Sequence, residues 1–240
     1  KTETKKPPPL KTETKKLPPQ AESPAVVKEE DGMLVLQVPF QDLYDNATEA
    51  GDADAQYWLG RMFESGLEED GEDLVVPDAN QAAGLYAAAA KGGHAKAACA
   101  LGTLYAAHND PDKAAEAFLQ AVELGNLEAV SRLGLLYADA GHAEEALSLF
   151  TQAAEGGDAL GQSQMATYLA AGKGGLKTDL PTAAALFTAA AEAGEPSAHT
   201  GLGRLYESGF GKVKADPAKA AEHYRQGAEG GDTDGAAEYA

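Results

Sequence analysis

The octapeptide LGRMFESG occupies Leu59–Gly66, and a near copy, LGRLYESG, occupies Leu202–Gly209, starting 143 residues later in a chain of 240. Laid on each other, the two expose a register that the sequence between them also keeps, the mark of an internal repeat. Position zero is a glycine that closes a helix: Gly51, Gly93, Gly125, Gly157, Gly194 and Gly231. In the first five units Leu59, Leu101, Leu133, Met165 and Leu202 stand at +8, followed at +9 by Gly60, Gly102, Gly134, Ala166 and Gly203. Phe63, Tyr105, Tyr137, Leu169 and Tyr206 stand at +12. A second motif of Ala, aromatic, Ala closes each unit, as in Ala114/Phe118/Ala121, with Gly227 for the last Ala in unit five (Ala220/Tyr224/Gly227), and its first Ala always lies 11 residues before the next zero glycine.

These spacings predict a helical hairpin in every unit. Residues +8 and +12 lie one turn apart on one face of a first helix, while a glycine at +9 lets a neighbour approach closely. The Ala/aromatic/Ala stripe gives the second helix its complementary face. The zero glycine supplies a left-handed stop, and Asp52, Asn126, Asp158 and Asp232 follow it as caps of the next helix. Second helices start at Asp78, Asp110, Asp179 and Asp216, with Pro111 and Pro217 at the tolerated first helical position. Unit lengths are 42, 32, 32, 37 and 37 residues, and the variation falls between the two helices of a hairpin. In the longer units Val75, Leu176 and Val213 are expected to tuck the connecting loop against the hairpin.

In this pattern the chain resembles the tetratricopeptide repeat, and its GxG, apolar, xx, Asp loops resemble those of the related Sel-one-like repeats; GFGKVKADPAKAAEHYRQGAEGGD at 209–232 is similar to a nearly complete consensus. The resemblance covers about residues 40–240. It departs from the pattern in the short loops of units two and three, and in unit four at Met165, Ala166 and Leu169. It implies an all-α, right-handed α-solenoid of helical hairpins. Residues 1–31 read as a disordered Lys/Pro-rich tail, 32–51 as an N-terminal capping segment with a half-repeat (Phe40, Tyr44, Ala47), and 52–240 as five hairpins plus the start of a sixth. MLVLQV (Met33–Val38) is expected to lie extended across the first hairpin. The start at Lys1 and the stop inside a sixth first helix read as the edges of a fragment.

Charge and composition exclude several functions. The net charge of −19 divides into +4 for residues 1–20 and −23 for the rest, so the body repels phosphate backbones and favours cationic partners. No run approaches the roughly 20 apolar residues of a membrane helix. A lone Cys99 permits neither an internal disulfide nor a thiolate metal site. GKGGLKT at Gly172–Thr178 lacks the glycine a phosphate loop needs before its lysine, and Ser163 in GQSQM lacks the second glycine of a nucleophile elbow. The five histidines fall at different repeat positions, and the acidic LEEDGEDLVV (Leu67–Val76) reads as a solvated insertion without calcium-ligand spacing. No enzyme, no cofactor and no metal is expected.

The resemblance further implies that first helices line a concave surface at +6, +10 and +13. Those rows supply Tyr57, Arg61 and Glu64; Thr103 beside Cys99; Ser131; Thr167; and Thr200, Arg204 and Glu207. Arg61/Glu64 and Arg204/Glu207 read as side chains that packing does not use. The expected function is a scaffold or adaptor that binds a protein or peptide segment, a basic one being favoured. The alternative is a cell-envelope assembly factor contacting glycan or peptidoglycan through Tyr57 and Trp58. The family's bacterial members point to the periplasm or envelope, with the cytoplasm as the other compartment.

Overall fold

The structure, a computed structural model, describes residues 27–30, 33–69 and 72–240; residues 1–26 of the Lys/Pro-rich tail lie outside the described residues. One compact unit ends at Asn126 and a second runs from Leu127 to Ala240.

The first unit opens with strands β1 (Val27–Glu30) and β2 (Met33–Leu36), paired antiparallel from Val27↔Leu36 to Glu30↔Met33. Helix α1 (Phe40–Asp45) runs into a π-helical turn, Asn46–Ala50, before α2 (Ala53–Ser65). Strands β3 (Leu67–Glu69) and β4 (Glu72–Val75) form an antiparallel hairpin that leads to α3 (Ala79–Lys91), α4 (Ala95–Ala107) and α5 (Pro111–Glu123). The second unit holds α6 (Leu127–Asp139), α7 (Ala143–Glu155), α8 (Ala159–Ala171), α9 (Leu180–Glu192), α10 (Pro196–Ser208), α11 (Pro217–Glu229) and the shorter α12 (Thr233–Tyr239). Tandem antiparallel hairpins α2/α3, α4/α5, α6/α7, α8/α9 and α10/α11 make this the all-α repeat fold expected.

The punctuation acts as the sequence implied. Asp52, Asp158 and Asp232 accept the backbone N–H of Ala55, Gly161 and Gly235, and Asp78, Asp110, Asp179 and Asp216 cap the second helices in the same way. Gly93 and Gly231 sit at φ 93°, a conformation costly for any side chain. Inside each hairpin the +9 glycine takes the partner's ring. A Cβ on Gly102 would lie 2.5 Å from Phe118 Cδ1, and one on Gly60 2.7 Å from Tyr86 Cε1. Unit four writes Ala166 at this place, fully buried, and its Phe187 also closes on Gly201 of α10.

Four details depart from the sequence reading. Val27–Glu30, assigned to the disordered tail, form β1, because Val27 (2% exposed) joins a core of Leu43, Ala47, Ala55, Leu59, Met62 and Val75. In the half-repeat Ala47 is buried as expected, but the large buried residue is Leu43 at 0%, while Tyr44 is 40% exposed. The π-helical turn Asn46–Ala50 contains the buried Ala47, and the buried positions Leu43 and Ala47 stand four residues apart where Tyr86 and Ala89 stand three apart, one residue more than the repeat register expects. In four of the five first helices a large residue at +11 is buried (Met62, Leu104, Tyr168, Leu205) and Phe63, Tyr105 and Tyr206 at +12 are only half-buried, whereas repeat three keeps the expected order, with Tyr137 at +12 buried and Leu136 at +11 half-buried. Of the loop anchors, Val75 is buried and Leu176 half-buried, but Val213 is exposed; it makes a backbone bridge to Phe210, whose ring packs on the core in its stead.

Candidate interaction surface

The +6 row is structural. Tyr57, Cys99, Ser131, Ser163 and Thr200 are all buried, so Tyr57, Ser131 and Thr200 do not line an open surface as the sequence reading expected. Repeats one, three, four and five use this position against the cap of the following first helix. Ser131 Oγ donates to Asp158 Oδ2 at 2.5 Å and Thr200 Oγ1 to Asp232 Oδ2 at 2.5 Å, the carboxylates that cap α8 and α12. Ser163 Oγ meets Ser197 Oγ at 2.8 Å, and Ser197 donates to Glu195, the cap of α10. In the first unit the same contact is aromatic: Tyr57 stacks on His94 with centroids 4.5 Å apart, and His94 Nδ1 accepts the Ala97 N–H to cap α4. A small polar residue at +6 thus carries one repeat onto the next through a charge-assisted hydrogen bond.

The +10 row is open to a different degree in each repeat. Arg61, Thr103 and Thr167 are half-buried, and Arg204 is exposed. Arg61 Nη1 donates to Tyr57 Oη at 3.3 Å. Thr103 and Thr167 turn their hydroxyls back on the carbonyls of Cys99 and Ser163. Arg204 Nη2 reaches Asp234 and Glu238 of α12 at 3.1 and 3.3 Å, an exposed pairing worth little by itself.

Glu64 and Glu207, the exposed residues at +13, have a packing role that the sequence reading denied them. Tyr86 Oη donates to Glu64 Oε2 at 2.6 Å, and Tyr224 Oη to Glu207 Oε2 at 2.9 Å. Both tyrosines are buried on the second helix of the same hairpin, and burial followed by the neighbouring carboxylate raises their hydroxyl pKa, that of Tyr224 to about 12. The phenols therefore stay protonated and donate. The signal was present in the sequence: where the second helix carries Phe118, Phe150 or Phe187, position +13 is Ala106, Ala138 or Ala170. Each carboxylate spends one of about four lone-pair sites on its tyrosine and faces solvent with the rest.

Two further sites were not foreseen. The acidic insertion is a β-hairpin, and beside its end Phe40, Tyr44, Phe63, Leu74, Val76 and Pro77 line a cleft of about 350 Å³. In the second unit His199 Nδ1 and His223 Nδ1 meet at 3.2 Å, with Tyr206 stacked on His223 at 5.4 Å. The two histidines are 24 residues apart, so no helical spacing announces them.

Comparison with known proteins agrees with the hairpin pattern. The Sel1 repeat family model matches residues 53–94, 128–158, 159–195 and 196–232. Among solved structures, a Sel1 repeat protein from Oxalobacter formigenes superposes with TM-score 0.66 at 26% identity, covering 77% of this chain and 74% of that one. The protective antigen c5321 of uropathogenic Escherichia coli, which displays an SLR fold, gives TM-score 0.63 at 28% identity; 84% of this chain is covered but 43% of that one. An immunity protein from Pseudomonas aeruginosa, Pa5087, shares the fold at TM-score 0.53 and 20% identity, over 80% of this chain and 74% of that one. A search among curated proteins gives no match. With more than half of its length matched in tandem by that family model, the chain belongs to the Sel1 repeat family.

Proposed function

We propose that the protein is a non-enzymatic adaptor whose first helices hold a protein or peptide segment through Arg61, Glu64 and Thr103 in one unit and Thr167, Arg204 and Glu207 in the other. Sel1 repeat proteins are in general protein–protein interaction scaffolds, and the repeat is a non-catalytic fold. The observation that supports the finer reading is the split between rows. The +6 row is buried, whereas Glu64, Arg204 and Glu207 stay exposed and keep hydrogen-bonding capacity toward a partner. Basic or donor-rich segments suit the two glutamates and the acidic body. The glycan alternative loses its ring platform, since Tyr57 is 8% exposed and packed among Trp58, Tyr86 and His94. No helix among the described residues is long and apolar enough to cross a membrane.

The test is quantitative capture by the full chain from an extract of its source. Arg61→Glu with Arg204→Glu is expected to reduce recovery of the main partner at least about tenfold, the cost of two charge reversals at a docking face. Unchanged recovery of every partner sinks the assignment.

A further inference from the structure

We propose that the cleft beside α1 is the seat of the chain's own lysine- and proline-rich segment, which residues 1–20 write twice, as KKPPPL (Lys5–Leu10) and KKLPP (Lys15–Pro19). This goes beyond the first-helix reading and concerns a different surface. Five large apolar residues are exposed among the described residues, and three of them, Tyr44 at 40%, Leu74 at 38% and Val76 at 65%, gather at this cleft. Folding alone does not account for leaving them in water together.

Three features select the occupant. The first is chemistry: the walls are aromatic and aliphatic, from Phe40, Tyr44, Phe63, Val76 and Pro77, the lining on which proline-rich segments dock. Proline's fixed φ lowers the ordering cost of such docking. The second is charge. Residues 40–81, which supply the cleft, contain one Arg against twelve Asp and Glu, while residues 1–20 contain six Lys against two Glu. A basic segment is drawn to this end of the molecule and an acidic one is repelled.

The third feature is the tether. Val27 is buried in the same cluster as Val75, and Val75 is part of the cleft wall. Leu17 precedes Val27 by ten residues, a span of at most about 35 Å of chain, so the Lys/Pro unit starts within reach of the cleft. An occupant on the same chain binds intramolecularly and needs less intrinsic affinity than a free one. Two copies of the unit give the seat two candidate occupants on one tether.

The experiment places the photo-crosslinker p-benzoylphenylalanine at position 44 of the full chain, and in a second variant at position 76. Isotopically light and heavy chains are mixed, irradiated and mapped by mass spectrometry. Adducts on residues 5–19, confined to light–light and heavy–heavy pairs, are expected at both positions. Raising salt from 50 to 500 mM is expected to lower their yield about threefold or more, since the attraction acts over roughly a Debye length. Leu10→Asp with Leu17→Asp is expected to abolish them without altering the circular dichroism melt. Adducts mapping to other residues, or none at either position, overturn the proposal. Mixed light–heavy adducts assign the cleft to a second copy and overturn it equally.

Discussion

Tyr86 and Glu64 form a unit that a double-mutant cycle can isolate. Tyr86 is 0% exposed and its hydroxyl ends on a carboxylate 2.6 Å away. Glu64→Ala removes the acceptor and strands a buried phenol, at a cost of about 1–3 kcal/mol for an unsatisfied buried polar group. The gain in helix propensity returns only a few tenths of that. Tyr86→Phe removes the donor but leaves the exposed glutamate to water, so its cost is the hydrogen bond itself, about 1–2 kcal/mol. The double variant recreates the Phe/Ala pair that three other repeats of this chain already use, and its cost is expected to lie near that of Tyr86→Phe alone. The coupling is therefore at least about 1 kcal/mol. Urea denaturation of the full chain, followed by circular dichroism, measures all four corners. Single costs that add within about 0.3 kcal/mol would refute the hydrogen-bonded pairing, and with it the reading of Glu64 as part of the hairpin.

Two glycines in the first unit make opposite predictions under one substitution. Gly84 lies in α3 with nothing within 4 Å of an added Cβ, so Gly84→Ala raises stability by about 0.5–1 kcal/mol. Gly102→Ala forces a methyl against the ring of Phe118, which is 2% exposed, and overpacking of about 1–3 kcal/mol cancels or exceeds the same gain. Thermal melts rank the two variants, and equal shifts contradict the packing. The second unit predicts a pH dependence. Burial holds His199 and His223 below the usual imidazole pKa, and for His223 the charge of His199 adds to this while Glu222 opposes it. Below about pH 6.5 the unfolded chain therefore binds more protons than the folded one. Stability is expected to fall as pH drops from 7.5 to 5.5 and to level once the folded rings also charge. His223→Gln is expected to flatten this fall, and an identical profile in wild type and variant contradicts it.

The arithmetic of the repeat was readable before any coordinates. Capping aspartates, left-handed glycines and the small residue under each ring are local demands of backbone geometry, and each needs a particular residue at a particular offset. That is why α2–α11 begin and end close to where Asp52, Asp78, Gly93 and their counterparts placed them. The Glu/Tyr and Ala/Phe correspondence was equally present in the text of the chain. It joins positions 17 and 22 residues apart on two helices, outside any helical window, so periodicity does not announce it.

The hairpin, its register and its family follow from residue spacing alone. Which side chains remain for a partner depends on how the repeats pack. Tyr57, Ser131 and Thr200 looked available at +6, and stacking of one repeat on the next buried them against the following cap. Tyr44 looked buried by its register, and a buried spacing one residue longer puts Leu43 in its place and leaves Tyr44 at the mouth of a cleft. The physical reason is the same in both cases: periodicity specifies a face of a helix, whereas burial depends on what the fold lays across that face.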